Sequence, residues 1–445
     1  MIEDAPLQVS QRRYRALATG MLAAMGATSE LTVSGWLVGR RRHKSVIFVD
    51  IRHQDGVHQF VARADRMTQE EYRELGRMPL ESALIVEYLC VADELRVTRL
   101  LNSFPAAPQT QSRIDWPHRR GGASTDRFYR DRHLTIRSSF SRAALMARAR
   151  LHSFLLNWLS QRDFVELHAP IITKLPLYEP QTAVSIRLHE QDVFLTQCVG
   201  FYLEAAAVGL ERVFNIGPSF RAEESKSPRH LVEYWHVKIE AMWLTRGQTM
   251  NLCEELLRDA VDFVRDNCQD LTQALGGRVP AALPGGAFPS ITYRNAVEML
   301  QERGHPAVFG DHLGPREEEA LADVLLAPTW VCNNPRSMEP FVYRVSPEDP
   351  ECTVTADLVL PNGYGELLGI AEKISDPREL EIRMLEKTMD GQGVYSWVTE
   401  LRQTGLPTHS GMGMGFERLL RWLFQTQDVR DYVAFPRTVG RPFWP

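Results

Sequence analysis

Two spacings of apolar residues divide the chain. Between Leu31 and Leu101 apolar positions alternate with polar ones in five short runs, LTVSGWLV, SVIFVDIR, HQFVARA, ALIVEYLCV and LRVTRLL. Period two is that of a half-buried strand, and the one interruption, near Gln69–Leu75, reads as a helix. Five strands with one helix suit a small Greek-key barrel of the oligonucleotide-binding type. Beyond a stretch rich in Pro, Gly and Arg the spacing changes. In FSRAALMARARLHSFLLNWLSQRDF apolar residues stand at 151, 154, 155, 158 and 159, the stripe of an amphipathic helix. Helical spacing returns over 248–275, 290–303 and the acidic 310–327, and strand-like runs in PTWVCNNPRSMEPFVYRV and ADLVLPNGYGELLGIAEK. The pattern predicts an α+β chain: an extension over 1–28, a barrel over 29–104, a linker over 105–133, and a larger domain over 134–445. That domain is expected to hold a mixed, mainly antiparallel sheet flanked by helices.

The clearest strand pattern lies between Phe214 and Trp243, in FNIGPSFRAEESKSPRHLVEYWHVKIEAMW. Strand-like residues 213–221 and a strictly alternating run from Leu231 flank a charged loop broken by Pro228. One face of the second strand carries Trp235, Val237, Ile239, Ala241 and Trp243 and reads as core. The other carries Tyr234, His236, Lys238, Glu240 and Met242, with Arg221, Glu223, Arg229 and His230 at the hairpin end. By itself this is equally a solvated hairpin. A second stretch, THSGMGMGFERLLRWLF, adds a strand with Gly411, Gly413 and Gly415 running into an amphipathic helix with Arg418 in its first turn. Alternate glycines clear one strand face for a flat ligand, and an arginine beside that face suits a polyphosphate. The dinucleotide-binding glycine fingerprint needs another spacing and a following acid, so it is rejected.

Composition narrows the class. At 445 residues, 44% hydrophobic and 24% charged, the chain has the make-up of an ordinary globular protein with room for two or three domains. A net charge of −5 announces no nucleic-acid binder, although a local cluster, Arg40 to Lys44, lies beside Phe48 and Gln59. The six cysteines have no metal-ligand spacing and read as reduced thiols of a cytoplasmic protein without structural zinc. No apolar run reaches membrane-spanning length, and the first residues show no signal pattern.

The FRAE…RHL…EYWHV hairpin and the GMGMGFERL segment resemble motifs 2 and 3 of the class II aminoacyl-tRNA synthetases, in the aspartyl/asparaginyl subgroup. EYWHV, QDVFLTQ…YLEAA and THSGMGMGFERLLRW are most similar to the archaeal-type asparaginyl enzymes, and FVELHAPIIT resembles motif 1. The resemblance runs from about Leu31 to Pro445. It implies a class II catalytic domain over 134–445 that forms an acyl-adenylate from ATP with Mg²⁺ and passes the acyl group to a tRNA 3′-hydroxyl. Arg221 would grip the substrate carboxylate and the α-phosphate. Glu223 would accept from the adenine amino group, Tyr234 would stack on its ring, and His230 and Arg418 would hold the outer phosphates. Asp357 and Glu366 match the magnesium carboxylates, an oxygen pair suited to that ion. Arg41, Phe48 and Gln59 would contact tRNA, Phe48 and Gln59 standing where the family reads anticodon bases. Pro170 stands where the family forms its homodimer.

The amino-acid pocket departs from the pattern. Its expected members are Glu179, Gln197, Gly200, Lys238, Glu372 and Lys373. Gly200 replaces a glutamine that helps bind the substrate ammonium, Lys373 an arginine, and Lys238 an acid, which leaves Glu179 as the ammonium partner. Two lysines at the side-chain end reverse the local charge, so a side-chain carboxylate, or a substrate lacking an ordinary α-ammonium, is expected to fit better than an amide. The first functional reading is an asparaginyl-tRNA synthetase-like ligase. The alternatives are a paralogue that activates a different acid or acylates a small molecule, and a catalytically silent tRNA-binding protein.

Overall fold

The computed structural model describes residues 30–54, 56–91, 93–114, 123–175, 180–223, 227–389 and 393–440. Contacts divide the chain into two units, Met1–Thr135 and Ile136–Pro445. In the first, strands β1 (Leu31–His43), β2 (Val46–His53), β3 (Gly56–Arg63), β4 (Ala83–Val91) and β5 (Glu94–Phe104) close into a barrel in the order β1-β2-β3-β5-β4. The alternation read from the sequence sends Val33, Leu37, Ile47, Val49, Ile51, Leu84 and Val86 inward. The Gln69–Arg77 helix starts on a Thr68/Glu71 capping box. At its end Arg40 donates to the Leu75 and Met78 carbonyls, which takes that arginine out of the expected nucleic-acid cluster. A buried two-pronged pair, Arg52 to Glu81 at 3.0 and 2.7 Å, ties β2 to the chain ahead of β4. The stretch expected as a linker contains helices at Thr110–Ile114, Ala123–Arg130 and Arg132–Thr135.

The second unit is built on an eight-stranded sheet. It comprises β6 (Val165–Glu166), β10 (Arg212–Phe220), β11 (Glu233–Met242), β12 (Ser290–Thr292), β13 (Thr329–Cys332), β14 (Thr355–Leu360), β15 (Gly365–Glu372) and β16 (His409–Gly415), in the order β12-β13-β14-β15-β16-β11-β10-β6. Only the β6–β10 and β12–β13 pairings are parallel. A small second sheet joins β7 (Ile172–Thr173), β8 (Val184–Leu188) and β9 (Gln191–Leu195).

Core side chains from β10, β11, β14, β15 and β16 pack against helices Ser139–Ser160, Arg246–Asn267 and Phe416–Leu423. The first of these turns Ala144, Ala147, Leu151, Leu155, Trp158 and Leu159 onto the sheet, the stripe its spacing predicts. Each buried leucine there contributes roughly 1.5–3 kcal/mol. Trp243 differs from its expected core place. The chain leaves the strand through a left-handed backbone at that residue (φ 68°), so the parity fails and the indole is 66% exposed.

Candidate active site

The sheet face opposite these helices carries the polar residues. Antiparallel register sets Lys238 beside Gly413, Gly413 beside Gly369, and Gly369 beside Asp357, one row across four strands. The glycines are where neighbouring side chains lie down. A Cβ on Gly413 would stand 2.6 Å from Lys238 Nζ and 3.0 Å from His236 Nε2, and one on Gly369 would stand 2.8 Å from Asp357 Oδ1. Gly411 differs from the expected open platform, because the Glu240 carboxylate fills the space over it.

A bulge decides the place of Glu366. Leu358 pairs with Leu368, but Val359 pairs with Glu366, so Leu367 is an extra residue on β15. Paired residues share a face, and the slip brings Glu366 to the face that carries Asp357 and Gly369. Without it, a separation of three residues along β15 would put Glu366 and Gly369 on opposite faces.

Two adjoining cavities lie on this surface. One, of about 130 Å³, is lined by Arg221, Glu223, Arg229, His230, Tyr234 and Arg418, with Gly413 and Gly415. The other, of about 440 Å³, is lined by Lys238, Asp357, Tyr343, Glu339, Lys387 and Gln181 among others. Arg221, His236, Glu366 and Gly413 line both, which makes Arg221 the cation at their junction. Arg221 Nη1 lies 3.4 Å from Glu223 Oε1, and His230 Nε2 3.7 Å from Glu223 Oε2. Arg418 donates to the Glu366 carbonyl at 3.0 Å and lies 3.6 Å from its carboxylate. Burial, then the Arg418 and Arg229 charges, pull His230 down to about 4. Burial and the Lys238 charge hold His236 well below the usual imidazole range. Both imidazoles are neutral near pH 7, so the positive charge is carried by arginines.

Acidic groups crowd the far side. Burial, then the charges of Glu366 and Glu339, raise Asp357 well above the ordinary carboxyl range, and burial followed by Glu366 raises Glu318. A proton or a cation relieves such crowding. Among the described residues no three such side chains converge as a metal-ligand group. Asp357 and Glu366 are the acids of this face that could hold a divalent cation, an ion that also takes oxygens from phosphate and water.

The expected amino-acid-pocket residues are only partly brought together. Lys238 lines the larger cavity. Lys373 is withdrawn: its Nζ lies 3.9 Å from Glu240 Oε2 and 5.0 Å from the centre of the Tyr343 ring. Glu372 is buried elsewhere, bonded to Arg344 and to the Arg246 N–H. Gln197 donates to Thr182 Oγ1 at 2.9 Å, and Gly200, which opens the Gly200–Leu210 helix, is buried with its N–H on Cys198 Sγ. Glu179 lies outside the described residues. The cavity thus meets one of the two expected lysines, because the other is turned toward Glu240 and the Tyr343 ring. The sequence reading missed Glu339, which lines both the larger cavity and the acidic recess beside it. Its segment, NNPRSMEP, has no period that would fix a face.

On the barrel, Arg41 pairs with Phe48 across β1 and β2, its guanidinium 6.0 Å from the ring centre. Gln59 donates to Asp50 at 3.1 Å on the neighbouring strands. These three side chains lie together on the barrel exterior.

A floor of antiparallel strands, a hairpin arginine between two cavities and a glycine strand running into an arginine-bearing helix define a nucleotide-dependent ligase of the class II synthetase type. The profile of the family described as tRNA synthetases class II (D, K and N) matches residues 124–439, and the chain belongs to this family. Its relatives include the asparagine–tRNA ligases of Thermococcus gammatolerans, 31% identical over 92% of this chain and 95% of that protein, and of Pyrococcus furiosus, 31% identical over 93% and 95%. The structure of asparaginyl-tRNA synthetase from Pyrococcus horikoshii complexed with asparaginyl-adenylate superposes with a TM-score of 0.86 at 30% identity, covering 93% of this chain and 96% of that one. The chain is therefore an ATP-dependent, asparaginyl-tRNA synthetase-like ligase, as its motifs suggested. No described helix is long and apolar enough to cross a membrane.

Proposed function

We propose that the cleft activates asparagine with ATP and passes the asparaginyl group to tRNA. The observation that carries this reading is Arg221, the cation common to both cavities. In the smaller cavity Tyr234 and Glu223 take the adenine, and His230 and Arg418 the outer phosphates. The amino acid occupies the larger cavity with its carboxylate at Arg221. A carboxylate oxygen attacks the α-phosphorus, the bond to the bridging oxygen breaks, and pyrophosphate leaves. The nucleophile is already ionised, so no general base is required; orientation and charge neutralisation supply the rate. In the second step a tRNA 3′-terminal hydroxyl attacks the acyl carbon, loses its proton, and AMP departs. Asp357 and Glu366 would hold Mg²⁺, which supplies neutralisation of phosphate charge when bound.

The barrel face bearing Arg41, Phe48 and Gln59 offers a cation, an aromatic platform and an amide to unstacked bases. Exposed Val165, Ile171 and Ile172 near Pro170 support a homodimer through that segment. Labelled pyrophosphate exchange into ATP, run with single amino acids, tests the first step. Exchange with asparagine above aspartate and other small acids is expected, followed by asparaginylation of tRNA. Exchange driven by another acid alone would overturn the substrate, and none with any amino acid would overturn the site.

A further inference from the structure

The larger cavity contains a carboxylate for which adenylation itself has no use. Glu339 follows β13 in a segment that crosses the cavity wall. Asn334 Nδ2 donates to its Oε1 at 2.9 Å and to Asp357 Oδ2 at 2.6 Å, so one amide pins two acids side by side. Among the described residues Glu339 Oε2 receives no hydrogen bond. Lys238 lines the same cavity, its Nζ lying over Gly413. Among the described residues that ammonium makes neither a hydrogen bond nor an ion pair. Lys238 and Glu339, both half-buried, thus bring opposite charges to one cavity without closing on each other, and a ligand there would meet both.

We propose that Lys238 and Glu339 together read the side-chain amide of the amino acid, Lys238 donating to its carbonyl oxygen and Glu339 accepting from its NH₂. This rests on the reading of the larger cavity as the amino-acid site. A primary amide offers one acceptor and one donor end, which matches a cation and an anion. A side-chain carboxylate offers acceptors only and would face Glu339 with like charge. An alkyl chain would leave both charges unmatched. The acid expected at position 238 is thereby recovered from a different element, with the polarity of the pair turned end for end.

The test is pyrophosphate exchange by Glu339→Gln, Lys238→Glu and the double exchange Lys238→Glu/Glu339→Lys. Glutamine retains an acceptor for Asn334, so Glu339→Gln keeps the wall intact. Each single variant is expected to raise the KM for asparagine by at least about tenfold, leaving the KM for ATP unchanged. The double exchange restores the KM for asparagine toward wild type, because an amide can bind in either sense. An unchanged KM in Glu339→Gln overturns the inference while leaving asparagine as substrate. So does a shift in Mg²⁺ half-saturation alone, which would make Glu339 a cation ligand. A double exchange no better than the singles also overturns it, since an α-ammonium partner could not be rescued by reversal. Wild-type enzyme that exchanges with another acid but not asparagine removes both readings.

Discussion

Where the glycine strand begins, on the sheet face that also carries the cavities, lies a buried charge cluster whose removal has a calculable cost. Glu204 of the Gly200–Leu210 helix accepts from both terminal nitrogens of Arg402, one at 3.1 Å, and lies 2.7 Å from His409 Nε2. All three side chains are buried, and His409 opens the glycine strand β16. Burial alone would raise Glu204, but Arg402 and His409 outweigh it and hold its carboxyl at about 2, against an ordinary 4.5. At 1.36 kcal/mol per unit the difference is worth about 3 kcal/mol. Glu204→Gln keeps the shape and strips the charge, leaving Arg402 buried without its counter-ion, and breaking such a pair costs about 3–5 kcal/mol. The two routes agree, so an apparent loss of ~3 kcal/mol in urea unfolding at pH 7 is expected for this unit. The folded carboxyl is depressed, so its contribution is full above the unfolded value and is lost as pH falls from about 4.5 toward about 2. His409 is raised by the same carboxylate; its contribution is full below its ordinary value of 6.5 and is lost as pH rises through its folded value. The wild-type advantage over Glu204→Gln should therefore be flat between about pH 5 and 6 and decline on the acid side. A loss below ~1 kcal/mol at pH 7, or an advantage that grows on acidification, would refute the reasoning.

Arg221→Ala should lower pyrophosphate exchange by roughly 10²–10³-fold with the thermal midpoint nearly unchanged, because this side chain is one-third exposed; near-normal exchange would remove Arg221 from the reacting centre. Asp357→Asn should raise the Mg²⁺ half-saturation of exchange by at least about tenfold, and an unaltered Mg²⁺ titration would move the cation elsewhere. Phe48→Ala should weaken tRNA binding by about 1–3 kcal/mol if a base stacks there, and Arg41→Ala should flatten its salt dependence as fewer counterions are released. Filter binding across a salt series checks both, and wild-type slopes in Arg41→Ala would detach that arginine from the RNA.

Period and local chemistry reached a long way into this molecule. Alternation in five runs specifies barrel strands because a half-buried strand needs one apolar face, and the inward Val33, Ile47, Val49 and Val86 are the residues that alternation picks out. The helix over Ser139–Ser160 follows from its stripe in the same way. Arg221, Glu223, His230, Tyr234 and Arg418 were legible because two ordered motifs name them, and the structure gathers all five around one cavity. The same logic failed at Trp243, where a left-handed backbone ends the parity.

What the sequence determined by itself was the barrel strands and the motif hairpin, their apolar faces and the arginines of the nucleotide cavity, all properties of short stretches; PTWVCNNPRSMEPFVYRV, expected as strands, is a strand only over Thr329–Cys332. Tertiary structure alone decided the pairings of charge. The bulge at Leu367 brings Glu366 to the face of Asp357, Glu240 draws Lys373 out of the cavity, and a loop remote in sequence brings Glu339 to the cavity that holds Lys238. A buried charge is defined by its partner, and a partner 100 residues away leaves no mark in the local pattern. Substituting Lys238 for an acid therefore reads as a reversed pocket along the chain, and becomes one half of a two-ended site once the chain is folded.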